Sequence, residues 1–256
     1  MSIGIRGKPV ANEKRSLAIM ANRVVYQLAR HWIVVFAVLA GLYAGLPWLA
    51  PVFMRLGWTP AGEAVYAFYS TQCHQLPQRS YFLFGPQPMY SLGQIQTQIG
   101  PTNSPLVLRQ FIGNATMGWK VAWSDRMVAM YTGLLLFGLL YWPLRKRLRP
   151  LPWWGFGLFM LHLLADGLTH MVSDVAGLGQ GFRDSNAWLA ALTGNSLPAA
   201  FYAGDALGSF NSWMRLVSGV FFALGIVWLA FPYFEQMMAD AAAQIEAKFG
   251  RAGLRL

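Results

Sequence analysis

Between residues 151 and 172 the chain stays apolar for the length of a membrane span, yet it carries His162, Asp166 and His170 at intervals of four. On a helix this spacing sets all three on one face. Ionisable groups inside a span are expensive to desolvate and turn toward protein, water or a ligand, so this face is the first place to look for chemistry. Asp166 or a histidine could act as a general base, and these are also metal-ligand types. His162 and His170 lie eight residues apart, about 12 Å along a helix axis, too far for both to bind one ion. A metal site would join Asp166 to one of them, with His74 as a further ligand. The usual His-Glu-x-x-His companion is missing.

A second set of reactive types is Cys73-His74-Gln75, followed by Pro77, Arg79, Ser80 and Gly85. A thiol becomes nucleophilic when a neighbouring cation lowers its pKa, and Arg79 could supply that field. The plainer alternative is a half-buried cysteine on a short amphipathic helix. Cys73 is the only cysteine in the chain, which excludes an intrachain disulfide and any multi-cysteine metal knuckle.

Four segments are long and apolar enough to position these groups in a bilayer: 32–54, 127–142, 151–172 and 216–234. Each approaches the roughly 20 residues that a ~30 Å hydrocarbon core requires. The second would start at Val121 but for Asp125 and Arg126, so it is taken from Met127 with those two at its mouth. Basic residues gather in the N-terminal stretch (Arg6, Lys8, Lys14, Arg15, Arg23, Arg30), in the turn from Arg145 to Arg149, and at Lys248, Arg251 and Arg255. This bias predicts both termini on the cytoplasmic side of a plasma-membrane protein. Trp32, Trp142, Trp153, Trp154 and Trp228 would form the inner aromatic belt, with Trp58, Trp119, Trp123 and Trp213 on the outer side. No cleavable signal pattern is present in the first 31 residues.

The expectation is therefore an all-α membrane protein. Residues 1–31 form a cytoplasmic basic amphipathic segment, 32–235 a four-span domain with long outer loops at 55–126 and 173–215, and 236–256 a cytoplasmic amphipathic tail. The apolar stripes Leu17, Met20, Val24, Leu28 and Met238, Ala241, Ile245, Phe249 predict that both flanking helices lie along the membrane surface. Residues 187–203 are broken by Gly194, Asn195, Ser196 and Pro198 and are read as a surface or re-entrant piece.

Composition agrees with a bilayer. Of 256 residues, 55% are hydrophobic, 15% aromatic and only 12% charged, far more apolar than a soluble domain. The net charge of +10 sits beside the apolar segments and reports topology, not nucleic-acid binding. There is no phosphate loop and no Gly-x-Ser-x-Gly elbow, and Gly177-Leu178-Gly179-Gln180-Gly181 lacks the strand and helix of a dinucleotide site.

With alternate spans running in opposite directions, Asp166 falls roughly 7 Å below the outer boundary of a ~30 Å core. Arg126 and Arg215 lie at the outer ends of neighbouring spans, and either could pair with Asp166. An interhelical ion pair is the plain reading of this cluster. An outward-facing ligand, metal or catalytic pocket is the sharper one.

Several of these residues resemble the motifs of a membrane family known as domain-of-unknown-function family 2085. Cys73-His74-Gln75 with Pro77, Arg79-Ser80 and Gly85 looks like its opening motif. Ser124-Asp125-Arg126-Met127, with Tyr131 and Gly133 beyond, stands where that family has Cys-x-Arg-Cys, so the arginine is kept and both cysteines are absent. Asp166-Gly167-Leu168-Thr169-His170 is similar to its Asp-Gly-x-Thr-Gln run, and Asn211 to Gly219 to its Asn-x-x-Arg-x-x-x-Gly run. The likeness covers about residues 66–224, interrupted by an insert near 89–119. It implies a multi-spanning protein of no established reaction, and it groups Cys73, His74, Arg79, Arg126, Asp166, Thr169, Asn211 and Arg215 as one constellation. The missing thiols weigh against a metal held by a full cysteine set.

These readings converge on a binding or accessory protein of the membrane, with the lipid bilayer and a larger complex or a second copy as partners. The rival is a membrane-embedded hydrolase or transferase acting on a lipid or other anionic substrate, in which Arg126 and Arg215 hold the anion and Cys73 or a metal-bound water attacks. A small transporter stands third, since four spans are few and no paired repeat is visible.

Overall fold

The computed structural model describes residues 10–256, so Arg6 and Lys8 of the basic N-terminal stretch lie outside the described residues. Helix α1 (Val10–Arg30) passes through His31 into α2 (Trp32–Arg55), and α3 (Thr59–Ser70) folds back beside it. A single turn at Pro77–Arg79 leads to β1 (Ser80–Leu83), then α4 (Leu92–Ile99), α5 (Pro105–Leu108), β2 (Gly113–Asn114) and β3 (Gly118–Ser124). The long helices α6 (Asp125–Leu144) and α7 (Trp153–Asp174) follow. Short helices α8 (Phe182–Ser185), α9 (Ala187–Leu192) and α10 (Ala199–Tyr202) connect to α11 (Phe210–Arg251).

The chain is mostly helical, and α2, α6, α7 and α11 are long and apolar enough to cross a membrane. Their exposed faces are aliphatic: Val38, Leu39 and Leu42 on α2, Leu136, Leu139 and Leu140 on α6, Leu161, Leu164 and Leu168 on α7. Water would leave such surfaces uncovered, whereas acyl chains solvate them. This marks a membrane protein. The helices run beyond the expected spans, so that Asp125 and Arg126 occupy the first turn of α6 and 216–234 is only the middle of α11.

Proline positions show how the bundle is tied. A proline in a helix removes one N–H and frees the carbonyl four residues earlier. Pro47 frees the Tyr43 carbonyl, which instead accepts the Tyr69 hydroxyl of α3 at 2.8 Å. Pro232 frees the Trp228 carbonyl, which accepts the Leu151 N–H from the α6–α7 connection at 3.2 Å. These two breaks in the ladder thus become links between elements.

Small residues set the spacing of α6 and α11, the most extensively packed pair. A Cβ added at Gly219 would stand 2.7 Å from the Ala129 Cβ and 2.9 Å from the Arg126 carbonyl oxygen, and one at Gly133 would stand 2.9 Å from the Ala223 Cβ. Helices in lipid gain most where backbones approach closely, and these glycines permit it. α2 packs beside α6 and α7 packs on α11, leaving α7 at the edge.

Three sequence expectations need correction. The fold is not all-α, because β1, β3 and β2 form an antiparallel sheet in that order, with Ser80 opposite Ser124 and Gly113 opposite Trp119. Val121, Ala122 and Trp123 of β3 pack into the core shared by α2, α3 and α6, which is why the loop orders. Trp123 consequently belongs to no aromatic belt; it is fully buried and stacked on Tyr131. Finally, the C-terminal tail is no separate surface helix. It continues α11 without a break, and its Ile245 and Phe249 are buried. α1 runs alongside, with Tyr26 Oη donating to Glu246 at 2.7 Å and Arg23 to the Arg255 carbonyl at 2.8 Å, while Leu17, Met20, Val24 and Leu28 stay exposed.

Candidate functional site

Ionisable side chains from five elements meet at the end of the bundle where α6 and α11 begin and α7 ends. α6 contributes Asp125 and Arg126 as its first two residues, because β3 delivers the chain straight into the helix. On α7, Asp166, His170 and Asp174 repeat every four residues and share a face. α11 contributes Asn211, Arg215 and Ser218 at helical spacing. The turn at Pro77–Arg79 carries Arg79, and the α7–α11 connection returns Arg183 and Asp205.

The return of Arg183 depends on a close approach. Gly181 lies so near Ser173 that a Cβ would stand 2.0 Å from the Ser173 Oγ, and that hydroxyl accepts the Arg183 N–H at 3.0 Å. Glycine supplies room that no other residue has.

Asp166 is buried and accepts from Arg126 Nη2 and Arg183 Nη2, each at 2.7 Å, with His170 Nδ1 3.2 Å away. Arg183 is further held by Asn211 Oδ1 at 3.1 Å and Thr169 Oγ1 at 3.2 Å. Asp205 accepts from Arg79 Nε at 2.8 Å and Arg215 Nη1 at 2.6 Å, and its Oδ1 lies 3.8 Å from His170 Nε2. Arg215 also grips Asp125 through Nε at 2.8 Å and 2.9 Å, and Arg79 holds Asp174 with two parallel bonds of 2.8 Å. The Arg79–Asp174 pair is two-pronged, a geometry among the stronger polar contacts that fixes orientation as well as charge, whereas Arg215 shares one Nε–H between both Asp125 oxygens.

Four arginines therefore face four aspartates, with His170 standing between Asp166 and Asp205. Burial alone would raise the Asp205 carboxyl, but the guanidiniums of Arg79 and Arg215 outweigh it and hold the group well below the usual carboxylate range. His74 is exposed at the rim. The protein packed around it, then the guanidiniums of Arg79, Arg215 and Arg126, disfavour its protonation, and its exposure lets solvent soften the first effect. It is a neutral imidazole whose Nδ1 accepts the Leu76 N–H at 3.1 Å.

A cleft of about 360 Å3 opens beside the network between α6 and α7, which both lean on α11. Cys73, His74 and Arg79 form one wall, Arg126 and Met127 a second, and Gly167, His170 and Met171 a third. Arg126 differs from the other three arginines. Its Nη2 alone is bonded, while its Nε is buried and has no acceptor among the described residues. Nη1 faces the open side of Gly167, where a Cβ would stand 3.4 Å away.

Most residues singled out from the sequence meet here. Cys73, His74, Arg79, Arg126, His170 and Arg215 line the cleft, and Asp166, Thr169 and Asn211 stand behind it. Arg215 does not pair with Asp166; it is occupied by Asp125 and Asp205, and Arg126 makes the bond across the seam. Arg79 is likewise spent on two carboxylates and lends Cys73 no dedicated cation. The thiol is buried and donates weakly to Ser124 Oγ at 3.6 Å. His162 lies apart, its ring 5.4 Å from that of Phe221. The metal set His74, His162, Asp166 and His170 does not assemble: no three His, Cys, Asp or Glu side chains converge on an ion-sized site among the described residues.

The roles of Arg183 and Asp205 are not visible in the motifs. One signal was available, since the connection 173–215 is largely apolar and carries charge only at Asp174, Arg183, Asp184, Asp205 and Arg215. Charges that rare beside a membrane call for partners.

An uncharacterised protein of Methanocaldococcus jannaschii is 28% identical to this chain over 145 residues, which is 53% of this chain and 68% of that protein. No family model matches the chain, and no solved structure matches it.

Proposed function

We propose that this protein binds an anionic group, a carboxylate or a phosphate, in the cleft between α6 and α7. The observation that carries this reading is Arg126, whose single carboxylate bond through Nη2 leaves Nη1 without an acceptor among the described residues, beside cleft-lining Gly167. Nη1 carries two N–H donors, and their charge-assisted bonds suit an oxyanion oxygen that enters from the cleft. The surrounding arginines are already bonded to aspartates, Arg183 sharing Asp166 with Arg126, and their donors are spent within the network, so they brace Arg126 and do not compete with it for the ligand. The Cys73 thiol is buried and turned to Ser124 Oγ, so the reading taken is binding.

On the charge bias of the flanks, we assign the termini to the cytoplasm of a plasma-membrane protein and the cleft to the opposite side, within reach of external solutes or lipid headgroups. The resemblance to family 2085 belongs to the same proposal, as does an accessory role in a larger membrane complex or a homo-oligomer.

The test is calorimetry on the detergent-purified protein with inorganic phosphate and acetate, wild type against Arg126→Gln. A hydrogen bond to a charged group contributes about 1.5–3 kcal/mol, so loss of the guanidinium should weaken binding by roughly ten- to a hundredfold. Equal binding by both proteins would remove the cleft from consideration.

A further inference from the structure

A second cavity, of about 560 Å3, lies at the other end of the bundle, between the α1–α2 joint, the last turns of α6 and the middle of α11. Its size falls within the ~300–1,000 Å3 typical of small-molecule sites. It sits where three apolar helices stop together: α2 begins at Trp32, α6 ends at Leu144, and the apolar run of α11 gives way at Glu235. Trp32 and Trp142 line it, as aromatic rings do at a bilayer boundary.

Its charges are only partly spent. Glu235 accepts the Trp32 indole N–H at 2.9 Å and lies 3.5 Å from Arg145 Nε, while Arg145 covers the Trp142 ring at 4.5 Å. Glu246 is taken by the Tyr26 hydroxyl. Among the described residues no carboxylate lies within salt-bridge distance of Arg30 or Lys146, the two other cations of the cavity. The opposite wall is built from Ala239, Ala242 and Ala243 of α11, whose small side chains keep the space open.

We infer that this cavity holds the phosphate headgroup of an anionic phospholipid, with Arg30 and Lys146 as its counter-charges. Phosphodiester chemistry fits two cations at a tryptophan-edged boundary, and basic pockets between spans at that level recognise such lipids. A soluble phosphate offers the same charge, but it gains nothing from a site at the edge of the acyl layer.

Native mass spectrometry of the protein extracted from vesicles of equal phosphatidylglycerol and phosphatidylcholine tests this. One phosphatidylglycerol should remain bound in preference to phosphatidylcholine, with that preference reduced about tenfold in Arg30→Gln/Lys146→Gln. Ala243→Leu, which fills the space but keeps both charges, should lose the lipid as well. Arg126→Gln should retain it, which separates this site from the cleft and lets either proposal fail alone. Undiminished retention in both cavity variants overturns the inference. Displacement of the bound lipid by millimolar inorganic phosphate reassigns the site to the free ion and overturns it too.

Discussion

Arg126 donates to Asp166 at 2.7 Å across the seam between α6 and α7, and Asp166 answers at the same distance to Arg183 from the connecting loop. One buried carboxylate thereby joins two spans and a loop. Removing it leaves two guanidiniums short of a partner in a low-dielectric setting, which costs far more than the pair itself contributes.

Asp166→Asn should therefore destabilise the protein by about 3–5 kcal/mol, the usual cost of breaking a buried pair from one side. Thermal melts in detergent measure it. A double-mutant cycle with Arg126→Gln should show coupling above about 0.5 kcal/mol, and one with Arg183→Gln the same. Additivity in the Arg126 cycle would mean that the bond across the seam does not form.

Packing and site are linked at Gly219. A Cβ there meets the Ala129 Cβ at 2.7 Å and the Arg126 carbonyl at 2.9 Å, so Gly219→Ala must push α6 off α11. Overpacking of this kind costs about 1–3 kcal/mol. Because the strained turn carries Arg126, anion binding in the cleft should weaken along with the melting temperature. A variant that melts early but binds normally would uncouple the two.

Acid should expose the role of Asp205. Its carboxyl is held below the ordinary value of 3.8, so the folded state loses its proton more readily than the unfolded chain. The stability this provides is fully present above that value and is lost as pH falls toward the folded pKa. Melting temperature should drop below about pH 4 more steeply in the wild type than in Asp205→Asn. The variant should be less stable at neutral pH. Parallel acid profiles would contradict this.

Elemental analysis of purified protein should find no stoichiometric zinc or iron, since no three His, Cys, Asp or Glu side chains converge on an ion-sized site among the described residues. Near-stoichiometric metal, lost in His170→Ala, would restore the metal-dependent alternative.

Cys73 should label slowly with a maleimide in the native protein and quickly after denaturation, because it is only 8% exposed. Cys73→Ser should leave anion binding unchanged; a large loss would return the thiol to the centre of the chemistry.

The four apolar helices were legible in the sequence because a run of some twenty apolar residues has few other stable destinations, and Asp166, Arg126 and Arg215 stood out because charge is rare in such runs. The sheet was harder to see, since Gly118 to Ser124 alternates poorly and is ordered by the helices it packs on. The continuity of α11 past Pro232 also escaped, for it depends on a donor from Leu151 that local propensity cannot supply.

Sequence by itself determined a membrane-spanning helical protein with charges gathered at one end, because hydropathy and the cost of buried charge act locally along the chain. Only the tertiary structure decided which charges meet. Arg79 reaches Asp205 across 126 positions and Arg215 reaches Asp125 across 90. Such pairings follow from where glycines let backbones close and where loops return, and so Arg126, not Arg215, is left with donors to offer a ligand.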